Sequence, residues 1–148
     1  MAADTSILFV GDVVGRTGRR ALETLLPALR EEHAPTFVVV NGENAAGGIG
    51  ITPKEADAIF AMGVDVITLG NHTYRHREIW PYLQERREIV RPANYLASQP
   101  GRGTCVVERD GTTLADGHTL HACIDARTHR PTRVPAWLVE EIATAEGR

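Results

Sequence analysis

Five side chains in this 148-residue sequence have the types and placement to do chemistry together: Asp12, Glu43, Asn44, Asn71 and His72. They follow three short apolar runs, at residues 7–10, 37–40 and 64–69. Two carboxylates, two amides and an imidazole form an oxygen-rich donor set. Such a set suits a divalent cation of the magnesium, manganese, iron or zinc kind, and a central carboxylate can bridge two of them. Two metals about 3.5 to 4 Å apart clamp the attacking and leaving oxygens of a phosphoryl centre, so the favoured chemistry is phosphoester hydrolysis. Taken singly, each residue has a plainer reading. Asp and Asn after a strand close turns on their own backbone, and a lone His is commonly a packing or capping residue. The glycine-rich stretch from Ala45 to Gly50 could cradle a phosphate or simply be a flexible loop. It is the joint placement at three consecutive strand ends that argues for a site.

The elements that must position these residues are legible from periodicity. Ile7 to Val10 is a short, mostly branched apolar run broken by Gly11, Asp12 and Gly15, which predicts a strand and then a loop. From Thr17 to Arg30, Ala21, Leu22, Leu25, Leu26 and Leu29 recur at helical spacing, which predicts an amphipathic helix with a kink at Pro27. Phe37 to Val40 is apolar throughout, as in a parallel strand covered on both faces. Thr52, Pro53 and Glu55 open a second helix with a hydroxyl cap and a proline in the first turn, and Gly63 closes it. Val64 to Leu69 is a third strand, Glu78 to Glu88 a third helix, and Val90 to Tyr95 an extended connection through Pro92. This β-α-β-α-β order predicts an α/β fold with a parallel sheet and right-handed crossovers, whose strand ends share one edge. From Gly103 the period changes, and Thr104–Glu108 with Thr112–Ala115 predict a hairpin around Asp110-Gly111. A β-rich stretch from His118 to Ile124, an irregular Pro/Arg-rich connector and a short helix from Trp137 to Ala145 complete the expected elements.

Size and composition fit one domain of a soluble globular protein: 43% of residues are hydrophobic and 24% charged. A formal net charge of −3 argues against nucleic-acid binding by bulk electrostatics. Arg75, Arg77, Arg86, Arg87 and Arg91 form the densest basic stretch and read as the solvated face of a helix. Cys105 and Cys123 stand in no CxxC arrangement, so they read as buried thiols rather than a zinc knuckle or redox pair. No apolar run is long enough to span a bilayer, and an acid rather than a basic leader precedes the first apolar run; a cytoplasmic location is expected.

Three motifs then carry a family resemblance. Residues 11–18 (GDVVGRTG), 41–48 (NGENAAGG) and 68–73 (TLGNHT) resemble, in order and spacing, the motifs of the YmdB-like metallophosphoesterases, a calcineurin-like group of bacterial phosphodiesterases; residues 91–95 (RPANY) also fit. The resemblance covers about Ser6 to Ala115. It implies a calcineurin-like metallophosphoesterase half-fold in residues 1–115 with a C-terminal β-hairpin region. It also implies a dinuclear site, commonly iron or manganese, acting on small phosphodiesters such as 2′,3′-cyclic nucleotides. Carried onto this sequence, Asp12 and Asn44 would hold the first metal, Glu43 would bridge both, Asn71 would hold the second, and His72 would be the proton donor. An imidazolium beside the scissile bond can protonate a leaving alkoxide.

The family's later Asp-Phe-His and Gly-Thr-His-Thr-His motifs, which supply three histidine ligands, have no counterpart here. Residues 116–148 read as a divergent tail that completes or extends the same domain, and residues 114–138 resemble the closing strands of hotdog-fold acyl-CoA thioesterases. That segment is too short to build a sheet and core of its own, so thioesterase activity is not expected. His118 and His121 are an odd number of residues apart and would face opposite ways on a strand, so they are not expected to replace the lost ligands. The second metal is left with Glu43 and Asn71, and impaired activity is expected. The alternative is a non-catalytic truncated or chimeric protein binding at most one metal. Apolar surface left bare on the sheet would be covered by the tail or by a second copy of the chain in a homo-oligomer.

Overall fold

A computed structural model describes residues 6–109 and 112–118. Four strands and three helices alternate in the order β1 (Ile7–Val10), α1 (Gly15–His33), β2 (Phe37–Asn41), α2 (Pro53–Ala61), β3 (Val66–Thr68), α3 (Ile79–Glu85) and β4 (Ile89–Val90). The sheet order is β1-β2-β3-β4 and every pairing is parallel, with Leu8 beside Val38, Val40 beside Ile67 and Ile67 beside Ile89. The α/β class and parallel sheet expected from the sequence are thus present. The sheet has one strand more than expected, because Ile89, between the expected helix and connection, and Val90, read as the start of the connection, pair with β3.

Alternation along the strands separates two faces. Leu8, Val10, Val38, Val40, Ile67 and Ile89 pack into one cluster with Leu22 and Leu26 of α1, Ala56 and Ile59 of α2, and Ile79 and Leu83 of α3. All three helices therefore cover the same face, as right-handed crossovers advancing in one direction along a sheet require. Fully burying a valine, leucine or isoleucine of this cluster contributes about 1.5 to 3 kcal/mol. On the opposite face Phe37 and Val66 are buried, whereas Ile7 and Phe9 remain exposed.

Local signals place the helix ends, with three differences. First, α1 begins two residues earlier than expected and continues to His33, running on through Pro27, which lies on the exposed side. It closes at Ala34, whose left-handed φ of 42° brings its N–H to the Arg30 carbonyl. Second, α2 starts at Pro53 after an extended Thr52, but the Thr52 hydroxyl bonds the Glu55 carboxylate instead of a backbone N–H. Third, α3 ends at Glu85 because Arg86 turns extended toward β4.

β5 (Thr104–Arg109) and β6 (Thr112–His118) form the expected antiparallel hairpin, with a register irregularity at Val107/Glu108 and a second strand three residues longer than expected. A parallel bridge between Val90 and Arg102 ties its approach to the sheet edge. The hairpin turn at Asp110-Gly111, the rest of the stretch expected through Ile124, the terminal helix, His121, Cys123 and His129 lie outside the described residues.

Candidate metal centre

Three turns leave the carboxyl ends of β1, β2 and β3, and backbone hydrogen bonds stitch them together. Val13 N–H donates to the Asn41 carbonyl at 3.0 Å, Gly15 N–H to that of Asn44 at 2.9 Å, and Gly42 N–H to that of Thr68 at 3.0 Å. Parallel strands in register deliver the turns side by side, and these bonds fix their separation.

Three of the five side chains, Asp12, Asn44 and His72, meet in hydrogen bonds. Asn44 Nδ2 donates to both carboxylate oxygens of Asp12, at 2.9 and 3.1 Å. Its Oδ1 faces His72 Nδ1 at 2.7 Å. An amide oxygen only accepts, so Nδ1 carries the proton and Nε2 is the nitrogen left for other chemistry. Asp12, Asn44 and His72 thus form one chain of hydrogen bonds across all three turns. Asn71 stands exposed beside His72 at the start of the third turn.

Glu43 is held differently. Its carboxylate occupies the space where a side chain at Gly70 would begin, since a Cβ built there would overlap both carboxylate oxygens. Glu43 Oε2 is buried and has no hydrogen-bond partner. A buried carboxylate oxygen left unpaired is costly, and a cation is one of the few groups that removes the cost. The Gly70 carbonyl is pinned by the Thr73 N–H at 3.2 Å and hydroxyl at 2.6 Å, and more loosely by the Tyr95 hydroxyl at 3.4 Å. Burial, and then the negative charge of Glu43, push the Tyr95 phenol above its usual range, while the Arg91 guanidinium opposes them.

Gly70 and Tyr95 are the residues that sequence reasoning left without a role. Tyr95 belongs to the noted RPANY motif, yet nothing in its spacing shows that it returns to the third turn. Arg91, read as part of a solvated basic face, is only 4% exposed. Its guanidinium donates to the carbonyls of Pro92, Tyr95 and Leu96, at 3.0, 3.4 and 3.1 Å, and so shapes the loop that carries Tyr95. Arg75, Arg77, Arg86 and Arg87 are exposed as expected, but they flank α3 and none of them lies on a helix.

Two carboxylates and a buried orphan oxygen fit a divalent cation. The arrangement is lean, however: among the described residues, no three His, Cys, Asp or Glu side chains cluster as a metal-holding group. Amides must therefore complete any coordination from these turns. Among the described residues, no helix is long and apolar enough to cross a membrane.

The sequence pattern of the YmdB-like protein family matches residues 8–144. The chain belongs to that family. It is 42% identical over 109 residues to the 2′,3′-cyclic-nucleotide 2′-phosphodiesterase of Bacillus subtilis (strain 168), a match covering 74% of this chain and 41% of that protein. Among solved structures, a hypothetical protein from Thermus thermophilus superposes with a TM-score of 0.65 at 38% identity, covering 72% of this chain and 41% of the other. A novel phosphatase from Mycoplasma pneumoniae gives 0.68 at 30% identity, covering 74% and 41%. The chain thus spans about two fifths of the length of these relatives.

Proposed function

We propose that this chain is a metal-dependent phosphoester hydrolase acting on small phosphodiesters of the cyclic-nucleotide kind. The observation that carries this reading is the meeting of Asp12, Asn44 and His72 beside the unpaired buried oxygen of Glu43. The name of the Bacillus relative supports the substrate class.

In this reading Asp12 and Asn44 would hold one divalent metal, Asn71 would help to hold a second, and Glu43 would serve both. Manganese suits the carboxylate and amide donors, and iron is the other metal that the family resemblance implies. Metals held there would supply polarisation of the phosphoryl oxygens and neutralisation of the charge that develops in the transition state. Rotating the Asn44 amide by half a turn faces its oxygen toward Asp12, the orientation in which both would grip one cation. It also turns the amide NH2 to His72 Nδ1, which then accepts and leaves the ring proton on Nε2. His72, with Nδ1 turned to Asn44, delivers a proton to the leaving alkoxide from Nε2. The expected site of action is the cytoplasm.

The test is manganese- or iron-dependent hydrolysis of bis-p-nitrophenyl phosphate and of 2′,3′-cyclic AMP by the full chain. We expect turnover that falls by at least about 100-fold in His72→Ala, the scale of a lost general acid, and that also disappears in Glu43→Ala. Folded protein with no turnover under any metal would contradict the reading. The sparse donor set supports a second reading, a non-catalytic protein binding at most one metal. Elemental analysis separates them, since two metals per chain exclude the second.

A further inference from the structure

We infer that His76 is a positioning residue that locks the glycine loop following Glu43 and Asn44 to the turn bearing Asn71 and His72; this rests on the function proposed above. His76 lies four residues beyond His72, on the approach to α3. Its Nε2 is 3.0 Å from the carbonyl oxygen of Ile49. A carbonyl only accepts, so Nε2 is the donor. The adjacent residue, Gly50, has a φ of 76°, and a Cβ there would lie 2.7 Å from His76 Cδ2 and 2.8 Å from Arg75 Cβ. The imidazole edge therefore lies directly against the loop backbone. Only glycine accepts both the dihedral and the approach.

The loop needs such a tether. Gly47, Gly48 and Gly50 all sit at positive φ, and the loop closes on itself through Ala46 N–H to Gly50 O at 2.8 Å and Ile49 N–H to Ala46 O at 3.2 Å. Three glycines lose much conformational freedom on ordering, so two local bonds hold them weakly. Gly15 N–H fixes the loop's start at Asn44, and His76 fixes its far end. Of the three turns proposed to grip metal, the two that carry Glu43, Asn44 and Asn71 are thus made to move as one. Groups that orient metal ligands commonly change metal affinity about 10- to 100-fold when removed.

His76→Ala is expected to weaken manganese binding by the full chain about 10- to 100-fold. His76→Gln, whose side-chain amide can donate to Ile49, should restore most of it, with both variants melting close to the unaltered protein. In the metal-free protein, amide hydrogen exchange at residues 46–50 should quicken in the alanine variant and recover in the glutamine variant. Manganese binding equally tight in His76→Ala would overturn the inference while leaving the proposed function standing. If the unaltered, folded chain binds no manganese, the proposed function fails and takes the metal-positioning role with it. Unchanged exchange at residues 46–50 would remove the tether itself.

Discussion

Gly70 governs the candidate site without contributing a side chain. The Glu43 carboxylate lies where a Cβ at residue 70 would stand, against a turn whose carbonyl is gripped by Thr73. Gly70→Ala is therefore expected to push Glu43 aside, weakening manganese binding at least about 10-fold, as loss of a ligand-orienting contact does. The overpacking itself should cost about 1 to 3 kcal/mol of stability. A metal titration alongside a urea denaturation checks both, and unchanged affinity would show that the carboxylate has another place to go. Tyr74 makes a second prediction at this scale. Burial, opposed by Arg91 and reinforced by Tyr95, pushes its phenol from 10.0 to about 12 while its hydroxyl donates to the Pro100 carbonyl at 2.8 Å. The folded state thus holds this proton more tightly than the unfolded state does. Its contribution is complete below pH 10 and is lost as pH rises toward 12. Denaturation midpoints should fall over that window, and less steeply in Tyr74→Phe. Of these residues, Asp12, Glu43, Asn44 and His72 were legible because each follows an apolar run. Gly70 was not, because its value lies in space given to a residue 27 positions earlier.

At the scale of elements, long periodic segments were readable and short ones were not. The leucine spacing of α1 identifies the helix, but Pro27 suggested a kink where an uninterrupted helix stands. A proline inside a helix forfeits a backbone hydrogen bond and crowds the preceding turn, a cost of about 3 kcal/mol against alanine. Because Pro27 is exposed and packs no core, Pro27→Ala should stabilise the protein by about 1 to 3 kcal/mol, visible as a higher urea midpoint. A loss of stability would mean that the proline ring serves a contact. Ile89 and Val90 are too few to show a period, and their strand is created by the partner waiting in β3. Arg91 was misread for a related reason. Its partners are carbonyls of the residues that follow it, and sequence does not reveal that a turn will aim them inward. Thr52 was placed correctly at the head of α2, but a nearby carboxylate outcompeted the backbone for its hydroxyl.

For the whole molecule, one geometric fact organises the rest. A parallel sheet advancing in one direction puts three helices on one face and three strand-end turns on one edge. Asp12, Asn44 and His72, scattered along the sequence, thereby meet in a chain that belongs to the YmdB-like family. The chain spans about two fifths of the length of the relatives it matches. Glu43, with its unpaired buried oxygen, is where the proposed metal binding is tested most directly. The most direct measurement is manganese binding by the purified full chain, followed calorimetrically, in the unaltered protein and in Glu43→Ala. The account predicts saturable binding weakened at least about 100-fold by the substitution, about 2.8 kcal/mol of binding free energy. Folded protein that binds no manganese, or a Glu43→Ala variant that binds as tightly, would contradict it.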